Sequence, residues 1–250
     1  MRIDVLTLFP EIFEGVLKAS LLGKALEQGI LDVVVTNIRD FAPDRHHTVD
    51  DAPYGGGAGM VMKCEPLFAA VESLRERNTL HRVVLLSPRG RRLDQALVRE
   101  LAAEPDLALI CARYEGVDER VTEALVTDEI SIGDYVLSGG ELPALVIIEA
   151  ISRMLPGVVG DWESVETDSF YAGILGYPQY TRPPEFRGLS VPEVLRNGNH
   201  AAIRRWRRKE ALRATRARRP ELLVNRSPED GELLAEIERE TPRPEREKSS

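Results

Sequence analysis

The 250-residue chain has only two cysteines, Cys64 and Cys111, and their surroundings fit neither a disulfide framework nor the ligand spacing of a zinc site. No stretch approaches the roughly 18 consecutive apolar residues of a membrane span. The opening residues, MRIDVLTLFPEIFEGV, show no basic segment followed by an apolar one, so they do not read as a secretory signal. No G-x-G-x-x-G follows the first apolar run, and G-x-x-x-x-G-K-[ST] is absent. That removes a Rossmann dinucleotide site and a P-loop. The expectation from these absences is a soluble, reduced, cytoplasmic protein with no membrane partner.

What the chain does have is an uneven charge. Its net charge is −8, yet residues 181–220 hold 12 Lys+Arg against 3 Asp+Glu. Residues 1–180 hold 16 against 29. A basic block inside an acidic protein marks either a local surface for a polyanion or a solvated helix face.

Short apolar runs at 2–8, 31–36, 82–87, 107–111 and 129–133 read as strands, several of them near-continuous Val, Ile and Leu. Between them lie helical stripes: Leu67, Val71 and Leu74; Leu93, Leu97 and Leu101; Val117, Val121 and Leu125; and a longer one from Leu142 to Leu155. Strand alternating with helix predicts an α/β domain with a parallel sheet over 1–160. The Gly- and Pro-containing stretch 156–180 has no clear period; within it 161–175 reads as a linker, and 176–250 as a small, mostly helical C-terminal domain. Helices are expected at 191–195, 201–219 and 228–240, with a frayed tail over 241–250.

In an open α/β sheet, ligands bind beyond the carboxyl ends of the strands. Three loops there, LLSPRG (85–90), ICARYEG (110–116) and ISIGDYVLSGG (130–140), could converge on one pocket. Their glycines and prolines suit a neutral purine and ribose held by backbone groups, although ordinary strand-to-helix turns look the same.

YGGGAGMVMK (54–63), LLSPRG (85–90), RYEGVDER (113–120) and ISIGDYVLSGGELPALVIIEAISRMLPG (130–157) resemble the bacterial tRNA (guanine-N1)-methyltransferase family. The likeness continues through ESVETDSF (163–170), YPQYTRPPEFRG (177–188), LRNGNHAAIRRWRR (195–208) and RRPEL (218–222). The resemblance implies a SPOUT fold, with the parallel sheet tied in a deep trefoil knot, and a homodimer whose active sites are shared between chains. It implies methyl transfer from S-adenosyl-L-methionine to N1 of the guanine immediately 3′ of the anticodon in tRNA. Two other readings compete: an enzyme of the same fold acting on another RNA, and a non-catalytic RNA-binding module.

Carried onto this sequence, the cofactor site comprises Leu86, Ser87, Pro88 and Gly90; Ala112, Tyr114 and Glu115; and Ile132, Gly133, Asp134, Tyr135, Val136, Leu137, Gly139, Gly140 and Pro143. Ala112 stands where the family has Gly, which matters only if that position needs a left-handed backbone or the closest approach to the adenosine. Glu115 meets the cofactor or instead pairs with Arg113. The resemblance also implies Mg²⁺, but no residue is assigned as a metal ligand.

Guanine N1 carries a proton at neutral pH, so its methylation needs a base and a cation for the charge that develops on the exocyclic oxygen. The family's residues for these tasks fall on Asp168 and Arg153. Asp168, between Thr167 and Ser169, also reads as a cap or turn residue, and Arg153 as a partner for Glu149. Arg45, His46, Gly57 and Gly59 are expected to touch the RNA. So are Arg204, Arg205 and Arg208 of the basic helix, where Ile203, Trp206 and Leu212 would supply the apolar contacts.

Overall fold

The computed structural model of the chain describes residues 1–77, 80–224 and 226–240. The chain divides into two compact units, the first Met1–Asp161 and the second beginning at Trp162. The tail 241–250, read as frayed, lies outside the described residues.

The first unit holds β1 (Arg2–Thr7), α1 (Glu14–Leu17), α2 (Ser20–Glu27), β2 (Asp32–Asn37), β3 (Asp50–Asp51), β4 (Val61–Met62) and α3 (Cys64–Arg77). There follow β5 (Val83–Arg92), α4 (Gln95–Ala102), β6 (Asp106–Cys111), α5 (Glu119–Leu125), β7 (Asp128–Ser131) and α6 (Glu141–Ser152). A five-stranded sheet runs in the order β2-β1-β6-β5-β7, with every neighbouring pair parallel. Each of the five predicted strands is there.

The apolar runs are continuous because both faces of the sheet are covered. Ile3, Val5, Val84, Leu86, Leu107 and Leu109 pack with α2, α4 and α6 on one face. Their alternates, Leu6, Val83, Leu85, Ala108 and Ile110, pack with α3 and α5 on the other. This is the period-two alternation of strand side chains feeding two separate cores.

One segment departs from the reading as a loop. Ser87–Arg92 stays extended, with β5 continuing past a register shift so that Arg91 and Arg92 pair with Ile130 and Ser131 of β7. Pro88 sits at that irregularity, where a missing N–H costs no ladder bond. Gly90 is required because a Cβ there would come within 2.4 Å of the Glu129 carbonyl carbon.

The second unit contains α7 (Trp162–Glu166), β8 (Glu185–Phe186), β9 (Leu189–Ser190), α8 (His200–Arg218) and α9 (Pro228–Glu240). Much of the segment 161–175 belongs to this unit: it includes α7, and Ile174 joins the core formed by Ala211, Leu212, Leu233 and Ile237. Asn199 caps α8, its side chain accepting from the Ala202 N–H. Of the apolar residues expected to pack α8, Leu212 is core. Trp206 is half-buried against Tyr180, with ring centroids 6.2 Å apart.

Candidate active site

A cavity of about 1130 Å³ opens beside the register shift in β5 and at the carboxyl ends of β6 and β7. The first expected loop contributes Leu86, Ser87 and Pro88, and the second Ala112, Tyr114 and Glu115. The third contributes Ile132, Gly133, Tyr135, Val136, Leu137, Gly139, Gly140 and, at the start of α6, Pro143. The three loops therefore do converge. Gly90 and Asp134 are outside this wall: Gly90 is packed against β7 and Asp134 faces solvent.

Sequence reasoning missed a further stretch of wall, Asp51–Tyr54 with Val61–Glu65. It comes from the short antiparallel pair β3–β4, and the Met62 N–H donates to the Gly116 carbonyl at 2.9 Å. Two-residue strands carry no periodicity, so the only signal was the neighbouring glycine run. Along this edge, Asp118 caps α5 by accepting from the Arg120 N–H. The Arg120 guanidinium holds that carboxyl far below its ordinary range. Burial, followed by a hydrogen bond to Asp118, pushes the Cys64 thiol up.

The walls are held by main-chain contacts. Gly140 donates to the Ala112 carbonyl at 2.9 Å, and Arg113 and Gly139 form an antiparallel bridge. Ala112 is not in the left-handed region, so its methyl is compatible with this backbone; Tyr114, at φ 59°, carries the strain instead. Tyr135 N–H and Ser131 Oγ both donate to the Gly133 carbonyl, at 2.9 and 3.1 Å, folding the third loop on itself.

Glu115 does not pair with Arg113. It packs against Gly59, where a Cβ would stand 2.4 Å from its carboxylate oxygen, while Arg113 turns to Glu141. Arg45 and His46 are exposed in a loop organised by Asp44, which accepts from the His46 and Thr48 N–H groups. Gly57, with a left-handed backbone, faces open space. Arg153 caps the C-terminal end of α6 in the first unit, and Asp168 is exposed just after α7 in the second. Among the described residues, no group of three or more His, Cys, Asp or Glu could hold a metal ion. No described helix is long and apolar enough to cross a membrane.

A family model described as tRNA (Guanine-1)-methyltransferase TrmD matches residues 1–225. The chain belongs to the TrmD family. Relatives agree along nearly the whole length. A tRNA (guanine-N(1)-)-methyltransferase of Moorella thermoacetica is 59% identical over 243 residues, 96% of this chain and 97% of that protein. The protein of the same name from Geobacter sulfurreducens is 55% identical over 242 residues, 96% of this chain and 99% of its own length. That of Desulforamulus reducens is 53% identical over 242 residues, covering 95% of both.

In this TrmD-family chain the basic helix α8 is largely neutralised from within. Arg208 grips Asp230 of α9 through two bonds of 2.7 Å, and Arg205 pairs with Glu236. Lys209 reaches Glu236 and Glu240, and Arg216 lies 3.4 Å from Glu238. Arg204 is exposed and makes no ion pair among the described residues. Of the three α8 cations expected to meet RNA, two are thus committed to α9.

Proposed function

We propose that the chain transfers a methyl group from S-adenosyl-L-methionine to N1 of the guanine immediately 3′ of the anticodon in tRNA. The observation that carries this reading is the cavity framed by the bulged stretch of β5 and the loops after β6 and β7, in a chain of the TrmD family. The donor fits the wall chemically: backbone groups of the three loops suit an adenine and ribose, and Tyr135, Val136 and Leu137 offer apolar surface. When bound, S-adenosyl-L-methionine would supply an electrophilic methyl group, its methyl–sulfur bond breaking to leave S-adenosylhomocysteine. Among the described residues no group of three or more His, Cys, Asp or Glu is placed to hold Mg²⁺.

The Asp168 carboxylate accepts the guanine N1 proton, freeing the lone pair for attack on the methyl carbon. The Arg153 guanidinium offsets the negative charge that grows on the exocyclic oxygen. The first unit is read as the donor-binding methyltransferase and the second as the part that holds tRNA, working in the cytoplasm. A deep trefoil knot of the SPOUT type is supported by two features: β5 runs on beside β7, and Gly139–Gly140 press against Cys111–Arg113 before α6 returns under the sheet. A homodimer with shared sites is supported by the apolar surface left open on α6, where Leu142 and Val146 lie one turn apart.

Labelled S-adenosyl-L-methionine with tRNA transcripts carrying G or A at the target position tests the reading. Label should enter only the G transcript and be recovered as 1-methylguanosine. Equal labelling of both transcripts, or none, would overturn it.

A further inference from the structure

Beneath the cavity, the ends of β1 and β6 and the start of α6 meet at one polar network. The Thr7 hydroxyl, at the end of β1, donates to Oε1 of Glu141 at 2.8 Å. The same Thr7 oxygen accepts from the Phe9 N–H at 2.9 Å. The second carboxylate oxygen of Glu141 stands 3.0 Å from Nε of Arg113, as an ion pair without an aligned N–H. The Arg113 guanidinium lies 4.4 Å over the Phe9 ring, and its Nη1 donates to the Ser138 carbonyl at 3.4 Å.

Glu141 is 1% exposed. A carboxylate so buried is costly unless paired, and an apolar pair of equal volume would stabilise the fold at least as well. The network reaches the cavity wall, which Arg113 itself lines while Glu141 lies behind it: a Cβ on Gly139 would come within 2.2 Å of Arg113 Nε and 2.6 Å of Glu141 Oε2. The pair therefore sets the spacing between the loop after β6 and the loop before α6, and both loops line the cavity.

We propose that Arg113 and Glu141, oriented by Thr7, are positioning residues for the methyl donor, holding those two loops at the separation that binds it. This rests on the reading of the cavity as the donor site. Neither residue is assigned a part in the chemical step.

The test measures binding of S-adenosylhomocysteine by calorimetry, KM and kcat for the donor, and melting temperature, all on the full chain. Glu141→Gln should raise Kd and KM about tenfold, the scale of one buried polar group left without its partner, with kcat within twofold. Arg113→Gln should be worse than the double variant Arg113→Gln/Glu141→Gln, because only the single change strands a buried charge. Arg113→Lys should recover most of the affinity. If Arg113→Gln does not fold, Glu141→Gln and Arg113→Lys carry the comparison.

Tyr135→Arg, which obstructs the cavity directly, separates the two ideas. If Tyr135→Arg binds as wild type, the cavity reading falls. If Tyr135→Arg abolishes binding while Glu141→Gln and Arg113→Gln lower only the melting temperature, the pair is purely structural and the proposal is overturned.

Discussion

Gly140 and Ala112 are joined by a 2.9 Å hydrogen bond between adjoining walls of the cavity, and a Cβ on Gly140 would sit 2.6 Å from the Cys111 Cα. The obstacle is main chain, which cannot rotate away as a side chain would. Gly140 has φ −81°, so its glycine is needed for close approach and not for a left-handed turn.

Gly140→Ala should therefore push two cavity walls apart. The expected cost is that of overpacking, about 1–3 kcal/mol, together with loss of S-adenosylhomocysteine binding. Calorimetry and thermal melting check both; wild-type values in each would show that the loops can yield.

Asp168→Asn should nearly abolish methyl transfer, by about 10²–10⁴-fold for a lost general base, while donor binding stays within a few-fold. Two inactive variants, Asp168→Asn and Tyr135→Arg, also test the shared site. In a heterodimer purified with two tags, one site inherits both defects and the other neither, so half the activity should return. A heterodimer no better than its parents would mean that each chain is self-sufficient.

The cations of α8 should separate into two kinds. Arg204→Glu should weaken tRNA binding and lower the slope of log affinity against log salt by about 1, with an unchanged melting temperature. Arg208→Glu should instead lower the melting temperature, because it sets two carboxylates face to face at Asp230. Identical salt slopes for Arg204→Glu and wild type would reduce that residue to solvated surface.

Acid should loosen the second unit. Hydrogen bonding from Arg205, then Lys209, holds Glu236 at about 2, and Arg208 holds Asp230 below its ordinary value. A carboxylate lowered by folding stabilises the fold above its unfolded pKa and loses that contribution as pH falls through the folded one. For Glu236 the window runs from the ordinary 4.5 down to about 2. Melting followed by helical circular dichroism should show the stability falling across that range, less steeply in Asp230→Asn. A flat profile would mean the α8–α9 ion pairs contribute nothing.

The sequence by itself determined the sheet and its helices. Runs such as Leu107–Cys111 and Val83–Leu86 are apolar at every position because both faces are buried, and that pattern is local. Through the rule that ligands bind beyond the carboxyl ends of parallel strands, the sequence also pointed to the three segments that line the cavity. Tertiary structure alone decided the partners of the charged residues. Nothing local pairs Arg113 with Glu141 rather than Glu115, or turns Arg205 and Arg208 towards α9. The extended course of Ser87–Arg92 was likewise hidden, because Pro88 and Gly90 carry a turn signature that β7 overrides by pairing alongside. Periodicity records which face of an element is buried. Which side chains meet across 20 or 130 residues depends on how the elements are stacked, and that is fixed only when the whole core closes.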